Sequence, residues 1–399
     1  MSEAAPPSLL SPDAAVAAGL FEPLMIRSVT LPNRFVMPPM QRGWARSNVP
    51  DIGLGAYYRA RVLGGAGLII GESAAIDHPS ATGQAAAVSL HDAAIPAWAR
   101  IVGEVKDAGG HMLLQLWHEG AMRTRHSNGP DPNAPTLSPS GLVWRDRPNG
   151  EAASRDELEA ILAAYVRAAM TVQSIGADGI ELHGAHGFLL DQFCWSETNM
   201  RTDEYGGVAL EDRFRFPTSI VRAIRAVVGQ DFLIGWRFSQ WKEVDFGARI
   251  FETPAALATG LGLLREAGVD LFHASTRRFH VPEWPESDLG LAGWASSVTD
   301  APVIAVGSIG VQDRMFEVPG EAPELDVMAS FAELLRRFRR GDFALVGVGR
   351  AMIGDSDWVN KVRDGRFMEI RPFSSDMLGT AEWDMSLALE GLRRFGIRH

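Results

Sequence analysis

His183 and His186 stand three residues apart in the stretch ELHGAHGFLLDQF, at the end of an apolar run. Two imidazoles so spaced can bind a metal, pack in a core, or aim two N–H donors at one oxygen. A metal site recruits a third Cys, His or carboxylate. The nearest acid, Glu181, is read as alternating to the other face of the strand, so no metal is expected. The preferred chemistry is an oxyanion-type pair of donors that withdraws charge from a substrate oxygen. Phe188, the next ring, carries no hydroxyl and has no proton to give. Arg237 closes another apolar run, where an unpaired charge is costly; it is read as stabilising a buried anion, with a structural ion pair as the plainer alternative. Gln115 interrupts a third run and offers a donor and an acceptor to a planar heterocycle, unless it is a satisfied core amide. Gly307, Ser308, Gly349 and Arg350 close two more runs. Glycines there let backbone N–H groups approach a phosphate, and arginine adds a bidentate cation.

These residues sit at the ends of eight apolar runs of strand length: 34–40, 67–72, 111–117, 178–183, 232–238, 269–275, 302–308 and 343–349. Amphipathic stretches at 93–108, 155–175, 210–228, 254–267 and 325–340 separate several of them. The runs are continuously apolar, as parallel strands covered on both faces should be. The pattern predicts an α/β fold with a single (β/α)8 TIM-barrel domain over residues 1–399; a doubly wound open sheet is the runner-up. In such a barrel reactive side chains gather at the C-terminal strand ends. The segment 118–150, rich in Pro, Asn, Ser and Gly, follows the third run and is expected to form a lid over that face. Residues 371–399 form a C-terminal tail.

Composition narrows the alternatives. With 46% apolar residues and a net charge of −11, the chain is a globular protein with no surface to wrap nucleic acid or anionic lipid. One cysteine, Cys194, excludes an internal disulfide framework and suits a reducing, cytoplasmic setting. No run approaches the roughly 18–20 apolar residues of a membrane span. There is no G-x-S-x-G, no P-loop and no completed G-x-G-x-x-G, which argues against acyl transfer, NTPase and Rossmann readings. No lysine falls within the eight runs, which counts against Schiff-base chemistry.

The stretch GADGIELHGAHGFLLDQFCWSETNMRTDEYGG, followed by EDRFRF, resembles the signature of the Old Yellow Enzyme family of FMN-dependent NAD(P)H oxidoreductases. The likeness extends to LPNRFVMPPM, GLIIGESAAI, LLQLWHEG, WRFS and FALVGVGRAMIGD, from about residue 20 to 370. The resemblance implies FMN as cofactor and NAD(P)H as reductant. Pro39, Met40 and Gln41 would line the flavin, with Ser73 close by. Gln115 and Arg237 would bond its pyrimidine edge, and Gly307, Ser308, Gly349 and Arg350 its phosphate. His183 and His186 would bond the oxygen of a small-molecule substrate, an α,β-unsaturated carbonyl or nitro compound, that receives the hydride. Trp117, Phe279 and Trp284 are further candidates for the substrate wall, and Arg277 or Arg278 for meeting a carboxylate or a nicotinamide phosphate. A homo-oligomer is compatible with the resemblance.

Two positions depart from the family pattern. Gln41 stands where Thr or Cys is usual, and Phe188 where most members carry a proton-donating tyrosine. The second departure leaves open another proton source, a substrate that needs none, or a dehydrogenase, desaturase or redox isomerase. A non-catalytic flavin-binding protein is the reading from a different class.

Overall fold

Eight parallel strands close into a barrel: β1 (Phe35–Met37), β2 (Leu68–Ala75), β3 (Met112–Trp117), β4 (Gly179–His186), β5 (Leu233–Lys242), β6 (Leu271–Ser275), β7 (Val303–Val306) and β8 (Leu345–Gly347). The computed structural model describes residues 19–124, 130–311 and 327–378. Each of the eight apolar runs falls on one strand, and β8 pairs with β1 to close the ring. The open-sheet alternative is thereby excluded.

Helices α1 (Gly53–Leu63), α2 (Ile95–Asp107), α3 (Arg155–Ser174), α4 (Leu210–Val228), α5 (Pro254–Ala267), α6 (Leu291–Val298), α7 (Val327–Arg340) and α8 (Trp358–Arg363) surround it. Local chemistry sets their ends. Ser154 and Glu157 form a capping box at the start of α3. Thr253 caps α5, which opens on Pro254 and ends before Gly268, whose φ of +125° few other residues tolerate. Five helices coincide with the amphipathic stretches of the sequence. The other three escape such a reading because α6 and α8 span barely two turns and α1 buries Arg61.

The barrel interior is layered. Val36, Leu68, Ile70, Leu113, Leu233, Leu271, Ile304 and Leu345 fill the floor, all fully buried. In a strand every second residue shares a face, so this set alternates with the larger apolar shell packed beneath the helices. Gly179 supplies β4's place in the floor, where an added Cβ would lie 2.6 Å from Leu233 Cβ and 2.8 Å from Leu113 Cδ2.

Strand β5 runs four residues past the apolar run that marks it in the sequence and ends in Lys242. The expectation of lysine-free strands is therefore corrected. The ammonium is nevertheless occupied, donating to Asp191 Oδ1 at 2.8 Å and to the Ser239 carbonyl at 3.1 Å, with both partners of the ion pair fully buried.

The segment after β3 is anchored at its start. Glu119 accepts from Gly83 N at 3.0 Å, from Gln84 Nε2 at 2.6 Å and from Thr82 Oγ1 at 3.2 Å. Farther along, the short antiparallel pair Leu142–Trp144 and Arg147–Pro148 leads Arg145 to Glu197 at 3.0 Å and towards Asp245 at 3.8 Å, in the loops after β4 and β5. Residues 125–129 of this segment, and 379–399 of the tail, lie outside the described residues. Glu72, fully buried on β2, accepts from Arg42 N at 2.9 Å through one oxygen while the other has no partner. Burial pushes its carboxyl up to about 7.

Two stability predictions follow from these contacts. Gly179→Ala forces backbone or core to shift and should cost about 1–3 kcal/mol, whereas Gly262→Ala, with nothing within 4 Å of its new Cβ on α5, should stabilise by roughly 0.5–1 kcal/mol; equal effects in urea melts would contradict the packing described. The folded state binds the Glu72 proton more tightly than the unfolded chain does. Its contribution to stability is therefore lost as pH rises from the ordinary carboxyl range through about 7. Glu72→Gln should gain on the wild type over that window by on the order of 3 kcal/mol, and a pH-independent difference would refute the shift.

Candidate active site

A kink at the end of β4 builds the reactive corner. The β4–β5 register slips between Gly184 and His186, at a glycine whose Cβ would run into the Trp236 indole. His186 then adopts φ +66° and Gly187 φ +90°. The bulge carries the strand to His186, which pairs with Lys242, instead of ending it at His183 as the apolar run suggests. Asp191 stabilises the turn by accepting from Gly187 N at 2.7 Å while it pairs with Lys242. Burial raises the Asp191 carboxyl to about 6, against the pull of the lysine.

The kink brings the two histidines together, with ring centroids 5.1 Å apart and planes at 83°. Burial, reinforced by the positive charge of Arg237, holds both imidazoles well below their ordinary range. Both are neutral at neutral pH, each with one N–H to give. His183 keeps a buried Nδ1 with no partner. Three contacts fix His186. Its backbone N donates to Ser239 Oγ at 3.0 Å, its ring stacks on Trp241 at 4.3 Å, and its Nε2 lies 2.8 Å from Ser275 Oγ. Phe188 is edge-on to His183 at 4.9 Å and to Trp117 at 5.3 Å, so the wall beside the pair is hydrocarbon and indole.

Below this corner lies a polar tier. Ser73 Oγ donates to Gln115 Oε1, Gln115 Nε2 donates to Glu181 Oε1 at 2.8 Å, and Glu181 Oε2 meets His273 Nδ1 at 2.8 Å. The expectation that Glu181 faces away from His183 is overturned. Residues two apart on a strand share a face, and both side chains point into the barrel. Gln115 retains one N–H and one lone pair for a further partner. Arg237 Nη2 donates to Ser275 Oγ at 3.2 Å, and its buried Nε has no partner. No carboxylate among the described residues lies within ion-pairing distance of it, so the plainer ion-pair reading of Arg237 does not apply.

The remaining sequence candidates fall into three groups. Pro39, Met40 and Gln41 leave β1 beside Ser73, whose carbonyl accepts from Gln41 Nε2 at 3.3 Å; Gln41 Oε1 is buried without a partner. Gly349 packs against the same segment, a Cβ there coming 3.2 Å from Met40 Sδ. Arg350, next in the chain, donates through Nη2 to Ser308 Oγ at 2.7 Å, and Ser308 Oγ donates to the Arg277 carbonyl at 3.1 Å. Gly307 must be glycine, since a Cβ would lie 2.5 Å from Thr276 Oγ1. Arg277 covers the Phe246 ring at 4.2 Å. Phe279 N donates to the Gly307 carbonyl at 3.1 Å, which joins it to this group. Trp284 is held elsewhere, by the Glu252 carbonyl at 2.9 Å and by Trp294 on α6. Trp241, Ser239 and Ser275 are site residues that the sequence reading missed. The first two lie on the unrecognised extension of β5, and Ser275 is an unremarkable residue until β5 and β6 are set side by side.

The unspent polar atoms of Gln41, Arg237 and Gln115, beside a Gly-Ser-Arg cluster, fit a planar heterocycle that carries a phosphate, as in FMN. Comparison with known proteins agrees. Residues 19–323 match the NADH:flavin oxidoreductase / NADH oxidase family. An NADH oxidase of Thermoanaerobacter brockii is 34% identical over 371 residues, covering 90% of this chain and 53% of that protein. A 12-oxophytodienoate reductase 1 of Oryza sativa subsp. japonica is 36% identical over 254 residues, 62% of this chain and 64% of that one. The chain thus spans between half and two thirds of these curated relatives. The structure of morphinone reductase in complex with tetrahydroNAD superposes with a TM-score of 0.75 at 27% identity, covering 91% of this chain and 95% of that one. The kinked histidine strand, the buried arginine and these matches lead to one conclusion: the chain belongs to the NADH:flavin oxidoreductase / NADH oxidase family, that of the Old Yellow Enzymes.

Proposed function

We propose that the protein is an FMN-dependent oxidoreductase that moves a hydride from NAD(P)H to an activated alkene, an α,β-unsaturated carbonyl or nitro compound. The observation that carries the reading is the neutral, edge-on pair of His183 and His186 set among Arg237, Ser275 and Trp241. Bound FMN supplies the hydride chemistry itself.

The chain's residues do the rest. Gln41, Gln115 and Arg237 hold the heterocycle, and Arg237 places a permanent cation where negative charge must settle. Ser308 and Arg350 hold the phosphate, with the backbone at Gly307 and Gly349 close against it. His183 and His186 each give an N–H to the substrate oxygen and draw charge towards it, which lowers the barrier to hydride arrival at the β-carbon. Trp117 and Phe188 form an apolar wall, and the described parts of the segment after β3, 118–124 and 130–150, tied to the loops after β4 and β5 through Arg145, act as a lid that excludes water.

Phe188 supports a second reading within the same site. A phenyl ring cannot protonate the α-carbon, so reduction of an enone lacks its usual protein acid; desaturation, its reverse, would have to lose the α-proton to solvent, whereas a redox isomerisation that returns the hydride moves no proton at that carbon. The test is cyclohexenone reduction, with NADH and with NADPH, by the wild type and by Phe188→Tyr. If protonation limits the wild type, the tyrosine should raise turnover on the order of 10²–10⁴-fold. An unchanged rate would make the ring a packing element and remove the argument for the second reading. Failure of the purified protein to bind FMN or to oxidise either nicotinamide would overturn the proposal itself.

A further inference from the structure

Ser275, at the last position of β6, lies between the two charged or reactive groups of the site. Its hydroxyl oxygen accepts from Arg237 Nη2 at 3.2 Å and faces His186 Nε2 at 2.8 Å. A guanidinium only donates, so one lone pair of Ser275 Oγ is committed to Arg237. The hydroxyl proton must also find an acceptor, because the residue is 3% exposed and an unmade buried hydrogen bond is costly. Among the described residues its one other polar neighbour is His186 Nε2. The O–H therefore donates to Nε2, which must be the lone-pair nitrogen of a neutral ring. If Nε2 carried the proton instead, Ser275 would receive two donors and its own hydrogen would point at nothing. The same placement turns the imidazole lone pair towards the positive side of the site.

The ring cannot swing free of this bond. Trp241 stacks on it at 4.3 Å with planes 26° apart, and the Trp241 indole N–H donates to the Ser275 carbonyl at 3.1 Å. Ser275 thus holds both the edge of the imidazole and the aromatic plate that covers its face. His186 N is tied to Ser239 Oγ, so the backbone at φ +66° is fixed as well.

We propose that Ser275 is a positioning residue that locks His186 in the Nδ1–H tautomer, so that Nδ1 is the donor His186 offers to the substrate oxygen. Ser275 also links Arg237 to that histidine through one hydroxyl, so a change in the hydrogen bonding of the arginine is felt at the clamp. The inference rests on the reading of His186 as an oxygen clamp, but the tautomer itself is a property of the protein that can be read without turnover.

The experiment is 15N NMR of the FMN-loaded protein labelled at histidine, with the His186 signals assigned by their loss in His186→Asn. The wild type should show a protonated Nδ1 and an unprotonated Nε2 at neutral pH. Ser275→Ala should release His186 into a tautomer mixture or to Nε2–H, and Ser275→Thr, which keeps the hydroxyl, should restore the wild-type pattern. In parallel, kcat/KM for the enone should fall roughly 5-fold in Ser275→Ala, the worth of about one neutral hydrogen bond, and recover in Ser275→Thr. A wild-type ring protonated on Nε2, or a His186 signal indifferent to Ser275→Ala, would overturn the proposal. A protein that reduces no enone yet shows the Ser275-dependent tautomer would support the lock and overturn only the assigned substrate.

Discussion

The two-residue period of a strand, enforced eight times around a closed barrel, is the constraint on which this structure depends. One register decides at once which residues plug the floor and which reach the open end. The interior therefore rises in steps from Leu113, Leu233 and Leu271, through Gln115, Glu181 and His273, to Trp117, His183, Arg237 and Ser275. An apolar base is what permits the polar tier above it. Gln115, Glu181 and His273 are removed from water and survive there by bonding to one another. The reactive groups stand on that tier, so their positions are inherited from hydrogen bonds made one step below.

A second feature follows from burying Arg237 without a direct ion pair, the nearby Glu181 acting on it only through its charge. Burial makes protonation of either neighbouring imidazole unfavourable, and the arginine's charge acts in the same direction. Two neutral histidines are weaker donors than two cations, but each has a definite N–H and a definite lone pair. In the proposed reaction they serve as directional donors for a substrate oxygen, while the arginine is left to an anionic partner. Charge is balanced differently at the neighbouring kink, where Lys242 and Asp191 neutralise each other in full burial and hold the turn that presents His186. Removing one of such a pair leaves an uncompensated charge, typically a loss of 3–5 kcal/mol.

Much of this is legible in the sequence. Eight apolar runs announced eight strands, because strands covered on both faces must be apolar throughout, and the polar exceptions within them marked the site. His183, Gln115 and Arg237 stand out for that reason, and the structure turns all three into the barrel interior, Gln115 one tier below the other two. The errors have physical causes. Apolar content stops at Phe238, but hydrogen bonding continues to Lys242, so Trp241 and Ser239 went unseen. A β-bulge at Gly184 has no signature in composition, so His186 looked like a loop residue. Glu181 lies two residues before His183 and therefore shares its face, so the expectation that it points away contradicts the period of the strand itself. Ser275 could not be found at all from one chain segment, since its role exists only where β4, β5 and β6 meet.

In the proposed reaction the site polarises a substrate oxygen through its two histidines, while Phe188 offers no protein acid to the adjoining carbon. The most direct measurement is anaerobic reoxidation of the dithionite-reduced, FMN-loaded protein, followed at the visible flavin band, with cyclohexenone and with an aromatic nitro compound. Reoxidation by the nitro compound should be faster than by cyclohexenone by on the order of 10² or more, the cost of a missing general acid. Reoxidation by cyclohexenone at an equal or greater rate would contradict this reading and require a proton donor that Phe188 and its neighbours do not provide.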